Sequence, residues 1–162
     1  MRILAIDPGN AESAYVVIDA ETRRPLDHGK VPNHYLRLLI TDGELRADRS
    51  AVEMVASYGM AVGADVFETC VWIGRFVELL ELSNPTLVRR LDVKLHHCHD
   101  SKAKDSNVTQ ALVDRFAHGQ PNRGKGTKAE PGWFHGFKAD VWQAYALAVL
   151  LADVLVGAGG EP

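Results

Sequence analysis

The sequence predicts an α/β domain built on a mixed five-stranded sheet, a three-strand antiparallel meander plus two parallel strands, flanked by helices. Three observations predict it. An apolar run of strand length, Ile3-Leu4-Ala5-Ile6, lies near the N-terminus; tight turns join short strand-like segments through Val31; and segments of strand length then alternate with helix-periodic ones. At 162 residues, 46% hydrophobic and 24% charged, the chain has the profile of one globular domain able to bury a core without disulfides or a structural metal. Residues 1–157 are expected to form that domain, with 158–162 a short flexible tail.

Arg2 to Asp7 reads as a buried strand because its apolar residues do not alternate with polar ones, and Pro8-Gly9-Asn10 supplies the turn after it. Ser13 to Asp19 completes a hairpin, and a short strand near His28 to Val31 completes the meander. Tyr35, Leu36, Leu38 and Leu39 recur at helical spacing, and Ser50 to Val55 is the next strand. From Asp65, the positions Val66, Cys70, Ile73, Val77 and Leu80 mark a long amphipathic helix with Cys70 on its core stripe. Leu87 to Leu95 returns to strand character. Asp105 to Ala117 carries Val108, Leu112 and Phe116 on one stripe, with Asp105 or Ser106 as the cap. His118 to Gly132 holds four Gly, two Pro and three Lys or Arg without periodicity and reads as a mobile loop. Val141 to Val156 is apolar nearly all round, so this helix packs on more than one side. The order of elements places the first strand centrally and parallel to the later two.

The formal charge of −3 speaks against a strongly basic nucleic-acid binder, but its distribution is uneven. Residues 86–130 hold nine Lys and Arg against five Asp and Glu, while the other 117 residues hold nine against sixteen. This fits a DNA-facing surface beside a carboxylate-rich site, and equally an ordinary solvated face. Two cysteines, Cys70 and Cys98, suit a reducing compartment. No charge-free apolar run reaches membrane-spanning length and the N-terminal apolar segment is short, so a cytoplasmic location without membrane attachment is expected. No Gly-rich phosphate loop is present, so no nucleotide cofactor is expected.

Three carboxylates stand among apolar residues at the ends of these elements: Asp7 after Ile3–Ile6, Glu53 between Val52 and Met54, and Asp140 at the head of the final helix. A charge so placed is costly unless paired or bound to a cation. If the three ends converge, they form an oxygen site suited to Mg²⁺ or Mn²⁺ and to phosphoryl chemistry. Each also has a local explanation: Asp-Pro-Gly is turn chemistry, Glu53 can reach solvent from a strand end, and Asp140 with Gln143 matches a capping box.

The chain resembles the RuvC-type Holliday junction resolvases of the RNase H-like superfamily, most closely their bacteriophage-borne branch. Ile3 to Gly9 is similar to the family's opening strand and turn, and Val52-Glu53-Met54-Val55 to the strand bearing its second acid. Val71 to Phe76 is similar to a glycine-containing helical stretch, Val93-Lys94 through Val108 to a lysine-bearing segment, and Lys138-Ala139-Asp140 with Ala144 to Ala148 to its last motif. The resemblance spans nearly the whole chain in order. It implies an RNase H-like fold and a homodimeric, divalent-metal-dependent endodeoxyribonuclease that resolves four-way junctions in the host bacterium's cytoplasm by symmetric nicking. It further implies that Asp7, Glu53 and Asp140 are the catalytic acids and the ligands of two Mg²⁺ or Mn²⁺ ions. The departure is Gln143, an amide where cellular members commonly carry a second carboxylate; His135 is a possible substitute for that fourth ligand. Lys94, Lys102 and Lys104 match lysines near the scissile phosphate. Arg123, Lys125 and Lys128 extend the basic segment, and Tyr58 follows the Glu53 strand where a side chain could stack on an opened base.

Trp133, Phe134 and Phe137 are expected either to stack on bases or to pack the loop onto the core. On an extended segment, His96, Cys98 and Asp100 would share a side, and no second pair of ligands at zinc-site spacing follows. Two other functions fit the same residues: an RNase H-like nuclease acting on hybrid or flap substrates, and a non-catalytic junction-binding protein. A sugar-kinase-like ATPase would need a second such domain, for which this chain is too short.

Overall fold

A computed structural model describes residues 1–59 and 61–158; of the predicted 158–162 tail, Ala158 instead closes the last helix and the rest lies outside the described residues. The strands are β1 (Arg2–Asp7), β2 (Glu12–Asp19), β3 (Pro25–Pro32), β4 (Arg49–Met54) and β5 (Pro85–Arg89). The helices are α1 (Asn33–Thr41), α2 (Ala64–Leu79), α3 (Arg90–Cys98), α4 (Asp105–Phe116) and α5 (Val141–Ala158). The sheet order is β3-β2-β1-β4-β5, with β1 antiparallel to β2, β2 antiparallel to β3, and β1, β4 and β5 mutually parallel. This is the predicted mixed sheet with its first strand at the centre.

Alternation along β1 divides the core in two. Ile3 and Ala5 face the layer of α3, α4 and α5, whereas Leu4 and Ile6 face α1 and α2. Both faces are covered, which is why β1 is apolar without a period. On α5, every residue from Val141 to Ala152 is buried, as expected for a helix packed on several sides. No helix among the described residues is long and apolar enough to cross a membrane.

Three local expectations are corrected. The segment Leu87 to Leu95 is not one strand: β5 stops at Arg89 and α3 begins at Arg90. The Asp92 carboxylate accepts the Arg89 backbone N–H at 3.3 Å and caps the turn, and Val93 buries against α5, so tertiary packing overrides an ambiguous apolar pattern. Three helices therefore follow β5, not two. His96 to Asp100 is consequently the end of a helix: His96 Nε2 donates to Asp153 and His97 Nε2 to the Ala146 carbonyl, both at 2.8 Å, so the set does not line up on one side. Burial pushes His97 down to about 4, keeping it a neutral donor.

The second correction is the stripe of α2. Trp72 and Phe76, with Thr69 and Ile73, take the core positions, while Val66, Cys70 and Val77 are only half-buried. The helix is turned so that Trp72 and Phe76 are withdrawn from water while Phe67 is left exposed.

Third, residues 118–132 contain defined local structure: a tight turn at Pro121–Gly124 in which Asn122 and Arg123 are left-handed, a bridge pairing Gly126 with Pro131, and the Phe134 N–H donating to Gly124 O at 2.8 Å. Gly124 has a φ of +79°, and a Cβ there would collide with Ala117 and Phe134, so only glycine lets the loop lie this close to the core. Phe134 and Phe137 are fully buried, and Trp133 stacks on Phe116 at 5.5 Å while donating to the Tyr145 hydroxyl. These aromatics pack the loop onto the core.

Asp153 on α5 gathers Arg23, Arg115 and His96 at 2.6–3.1 Å, joining the β2–β3 turn, α4, α3 and α5. Burial alone would raise its pKa, but hydrogen bonds from Arg115, His96 and Arg23 outweigh it and hold the carboxyl well below its ordinary range. Asp153→Asn leaves two guanidinium cations facing a neutral amide and is expected to lower folding stability by about 2–4 kcal/mol, measured by urea unfolding at pH 7.

Candidate active site

Register places the first two acids. Ile6 pairs with Val52 across the parallel β1–β4 ladder, so Asp7 and Glu53, each one residue further, emerge side by side. They share the parity of Ala5 and Ala51 and therefore point to the α5 face. Their side chains are 12% and 13% exposed. The turn after Asp7 is pinned by two fully buried polar residues: Ser13 Oγ accepts the Gly9 N–H and donates to Asn33 Oδ1 at 2.6 Å, and Asn33 Nδ2 donates to Gly9 O at 2.8 Å. A Cβ on Gly9 would run into the Glu12 carbonyl, so the turn can close this tightly only with glycine.

The third acid arrives with α5. Ala139 has a φ of +45°, a left-handed conformation that costs an alanine about 1–2 kcal/mol and turns the chain sharply ahead of the helix. Asp140 then offers its carbonyl to the Gln143 and Ala144 N–H groups, but its carboxylate accepts from Lys30 Nζ at 2.6 Å, so the expected capping box does not form. Asp7, Asp140, Lys30 and Arg90 border one open cavity of about 380 Å³.

Arg90, the first residue of α3, stands among the acids. Its guanidinium donates to Glu53 at 2.8 Å and to Asp105 at 3.2 Å and lies 3.8 Å from Asp7. Asp105 is free to take this contact because the start of α4 is capped by Asn107, whose Oδ1 accepts the Lys104 N–H. Burial and the neighbouring Glu53 push Asp7 up to about 8, with Arg90 acting in the opposite direction. Glu53 is also raised, by burial first, with Arg90 opposing. Burial works against the Arg90 charge, but Glu53 and Asp7 hold it above its ordinary value.

An all-oxygen donor set fits a hard divalent cation, with Asp7, Glu53 and Asp140 as the residues that would hold it. As they stand, no three His, Cys, Asp or Glu side chains among the described residues are close enough together to enclose one; Arg90 and Lys30 neutralise the acids instead.

The remaining predicted residues divide into two groups. Gln143 and Arg123 border a second cavity of about 370 Å³ beyond Asp140, together with Asp105. Lys102 and Lys104 are exposed on the α3–α4 turn, Lys128 is exposed on the loop, Lys125 is half-buried, and Tyr58 is 65% exposed after β4. Lys94 lies half-buried on α3, not on a strand. His135 is not brought to the acids: its Nδ1 donates to Lys125 O, and it borders a separate cavity with His28 and Trp133. Sequence reasoning missed Arg90, Asp105, Lys30, Ser13 and Asn33. Arg90 was hidden inside an over-long strand and Asp105 inside a presumed cap, while Lys30 and Asn33 reach the site only through the meander.

No family model matches this chain, and no curated protein matches its sequence. Solved structures do. The structure of RuvC from Thermus thermophilus superposes with a TM-score of 0.69 over 97% of both chains at 15% identity. The chain has the RuvC fold. The T. thermophilus RuvC structure in complex with Holliday junction substrate gives the same TM-score, 0.69, over 97% of this chain and 96% of that one, at 14% identity. The mixed sheet and its flanking helices are thus common to RuvC and this chain in a background of low sequence identity.

The Asp7 shift carries a sign. Its pKa lies at 3.8 in the unfolded chain and about 8 in the fold, so the folded state favours the protonated acid and stability falls as pH rises between the two. In chelator, urea unfolding from pH 5 to 9 is expected to show this decline. Asp7→Asn flattens it, and Arg90→Gln, which removes the opposing cation, steepens it.

Proposed function

We propose that this protein is a divalent-metal-dependent, structure-selective endodeoxyribonuclease that nicks branched DNA, by preference four-way junctions. The observation that carries the reading is that Asp7 and Asp140 border one open pocket with Arg90, whose guanidinium also holds Glu53 beside Asp7 at the carboxyl ends of β1 and β4, in a fold shared with RuvC. The RuvC complex with Holliday junction substrate supports branched DNA as the substrate class. Symmetric nicking of two strands calls for two sites and hence a homodimer.

Mg²⁺ or Mn²⁺ bound here would supply Lewis acidity and a water ionised near neutral pH. The chain's residues do the rest. Asp7 and Glu53, fixed on adjacent strands, give the pocket its rigid wall, and the Ser13–Asn33 pair keeps the Asp7 turn from moving. Asp140 faces them from α5. No side chain in the pocket is a nucleophile of the serine or cysteine kind, which suits attack by water on a phosphodiester. Arg90 and Lys30 are cations already aimed into the pocket and can pair with phosphate oxygens once they release the acids. Lys102, Lys104, Arg123, Lys125 and Lys128 make no ion pairs among the described residues, whereas Arg89, Arg90 and Arg115 are taken up by acids. The backbone-binding part of the basic segment is therefore the α3–α4 turn and the 118–132 loop, with exposed Tyr58 available to stack on an unpaired base.

The test is a synthetic immobile four-way junction with Mn²⁺, beside a matched RNA–DNA hybrid and a flap. Symmetric nicks in the junction are expected from the wild type, with at least a hundredfold loss in Asp7→Asn and in Glu53→Gln. Preference for the hybrid or flap would move the reading to an RNase H-like nuclease. Junction binding without cleavage by any variant would make this a binding protein. Charge reversal of Lys102 and Lys128 is expected to weaken junction binding and reduce its salt dependence.

A further inference from the structure

Gln143 brings a neutral amide to the edge of the acidic site. It sits on the first turn of α5 and is 93% buried, since only 7% of its surface is exposed, yet its side-chain amide makes no hydrogen bond among the described residues. No side-chain polar atom among the described residues is both buried and unpaired, so the amide atoms themselves reach open space. They do so at the 370 Å³ cavity that Asp140 and Asp105 also line. Asp105 is joined to the remaining acids by a shared cation: the Arg90 guanidinium contacts Glu53 at 2.8 Å, Asp105 at 3.2 Å and Asp7 at 3.8 Å. A planar group of this size can touch three carboxylates only if they are arranged around it.

We propose that Asp105, at the start of α4, supplies the fourth carboxylate of the metal pocket, and that Gln143 is the neutral oxygen donor beside it. The inference rests on the nuclease reading above and deepens it. Charge argues for it. Asp7, Glu53 and Asp140 bring three negative charges to a pocket expected to take two divalent cations, and an amide at position 143 adds none; Asp105 brings the count to four. Position argues for it as well. Asp105 borders the same cavity as Asp140 and Gln143, so a cation between them meets a carboxylate from α4 in place of one from α5. The α4 start is already capped by Asn107, which leaves the Asp105 carboxylate unused by its own helix. In the metal-free state Arg90 holds Asp105 in place; on binding, the cation takes over that role.

Mn²⁺ binding to the full chain, followed by the electron paramagnetic resonance signal of free Mn²⁺ and by calorimetry, tests this without reference to cleavage. The wild type is expected to bind two ions. Asp105→Asn, an isosteric change at an exposed position, is expected to keep the circular dichroism spectrum and the tighter site while weakening the other at least tenfold. Adding Gln143→Asp to Asp105→Asn is expected to restore the weakened site, because position 143 then carries the missing carboxylate. Two unchanged sites in Asp105→Asn overturn the proposal. So does a loss that Gln143→Asp does not restore, since Asp105 would then act only as a partner of Arg90. Failure of the wild type to bind Mn²⁺ at all is a different result: it removes the nuclease reading itself, and this inference with it.

Discussion

Two carboxylates on neighbouring parallel strands, both nearly withdrawn from water, make an arrangement that no fold adopts without compensation. Asp7 and Glu53 are placed so by the β1–β4 register, and their mutual repulsion adds to the cost of burial. Much of the surrounding structure answers that constraint. The edge strand β5 ends in register with β4, Met54 opposite Arg89, so that the next residue, Arg90, can turn its guanidinium back over the acids. The chain must become helical at that point for the guanidinium to reach, and the Asp92 cap makes it do so. Lys30 performs the same service for Asp140 from the opposite edge strand. One cation from an edge strand and one from the helix that follows the other edge strand thus converge on the acids.

A pocket held this way is under tension that a ligand can relieve. Arg90 opposes the rise in the acids' pKa values without abolishing it, so Asp7 remains a group on which additional positive charge is welcome. The proposed exchange of guanidinium for divalent cation needs no movement of the main sheet, only of one long side chain whose start on α3 stays fixed. The rigid parts are the strands and the Gly9 turn, and the adjustable parts are Arg90, Lys30 and the exposed Asp105.

The strands were readable because their physics is local. The unbroken apolar runs of β1 and β2 and the Pro-Gly turn between them say where the chain extends, and they place Asp7 at a strand end. The acids Asp7, Glu53 and Asp140 were legible because a charge next to an apolar run stands out. What stayed hidden depends on distant partners. Nothing between Leu87 and Leu95 marks Arg89 as the last extended residue, because Leu87, Val88, Leu91, Val93 and Leu95 suit a strand as well as a helix. Packing of Val93 on α5 decides between them, and Arg90 and the two histidines change meaning with it. On α2, Ile73 and Leu80 of the predicted stripe are in the core, but Trp72 and Phe76 join them in place of Val66 and Cys70 for a similar reason: helical spacing fits several faces, and the space to be filled selects one. The resemblance to resolvases drew attention to Gln143 as a vacancy, but only the fold brings Asp105 across from α4.

The α5 helix is both the principal cover of one sheet face and the carrier of Asp140. Until residues 140–152 dock, Ile3, Ala5, Val16 and Ile18 have no lid, Lys30 has no counter-ion, and the two strand acids face an unfinished wall. Assembly of the hydrophobic interior and assembly of the reactive centre are therefore one event. A chain still emerging from the ribosome carries Asp7 and Glu53 long before it carries a pocket, so the proposed nuclease stays inert toward nearby nucleic acid throughout its own synthesis.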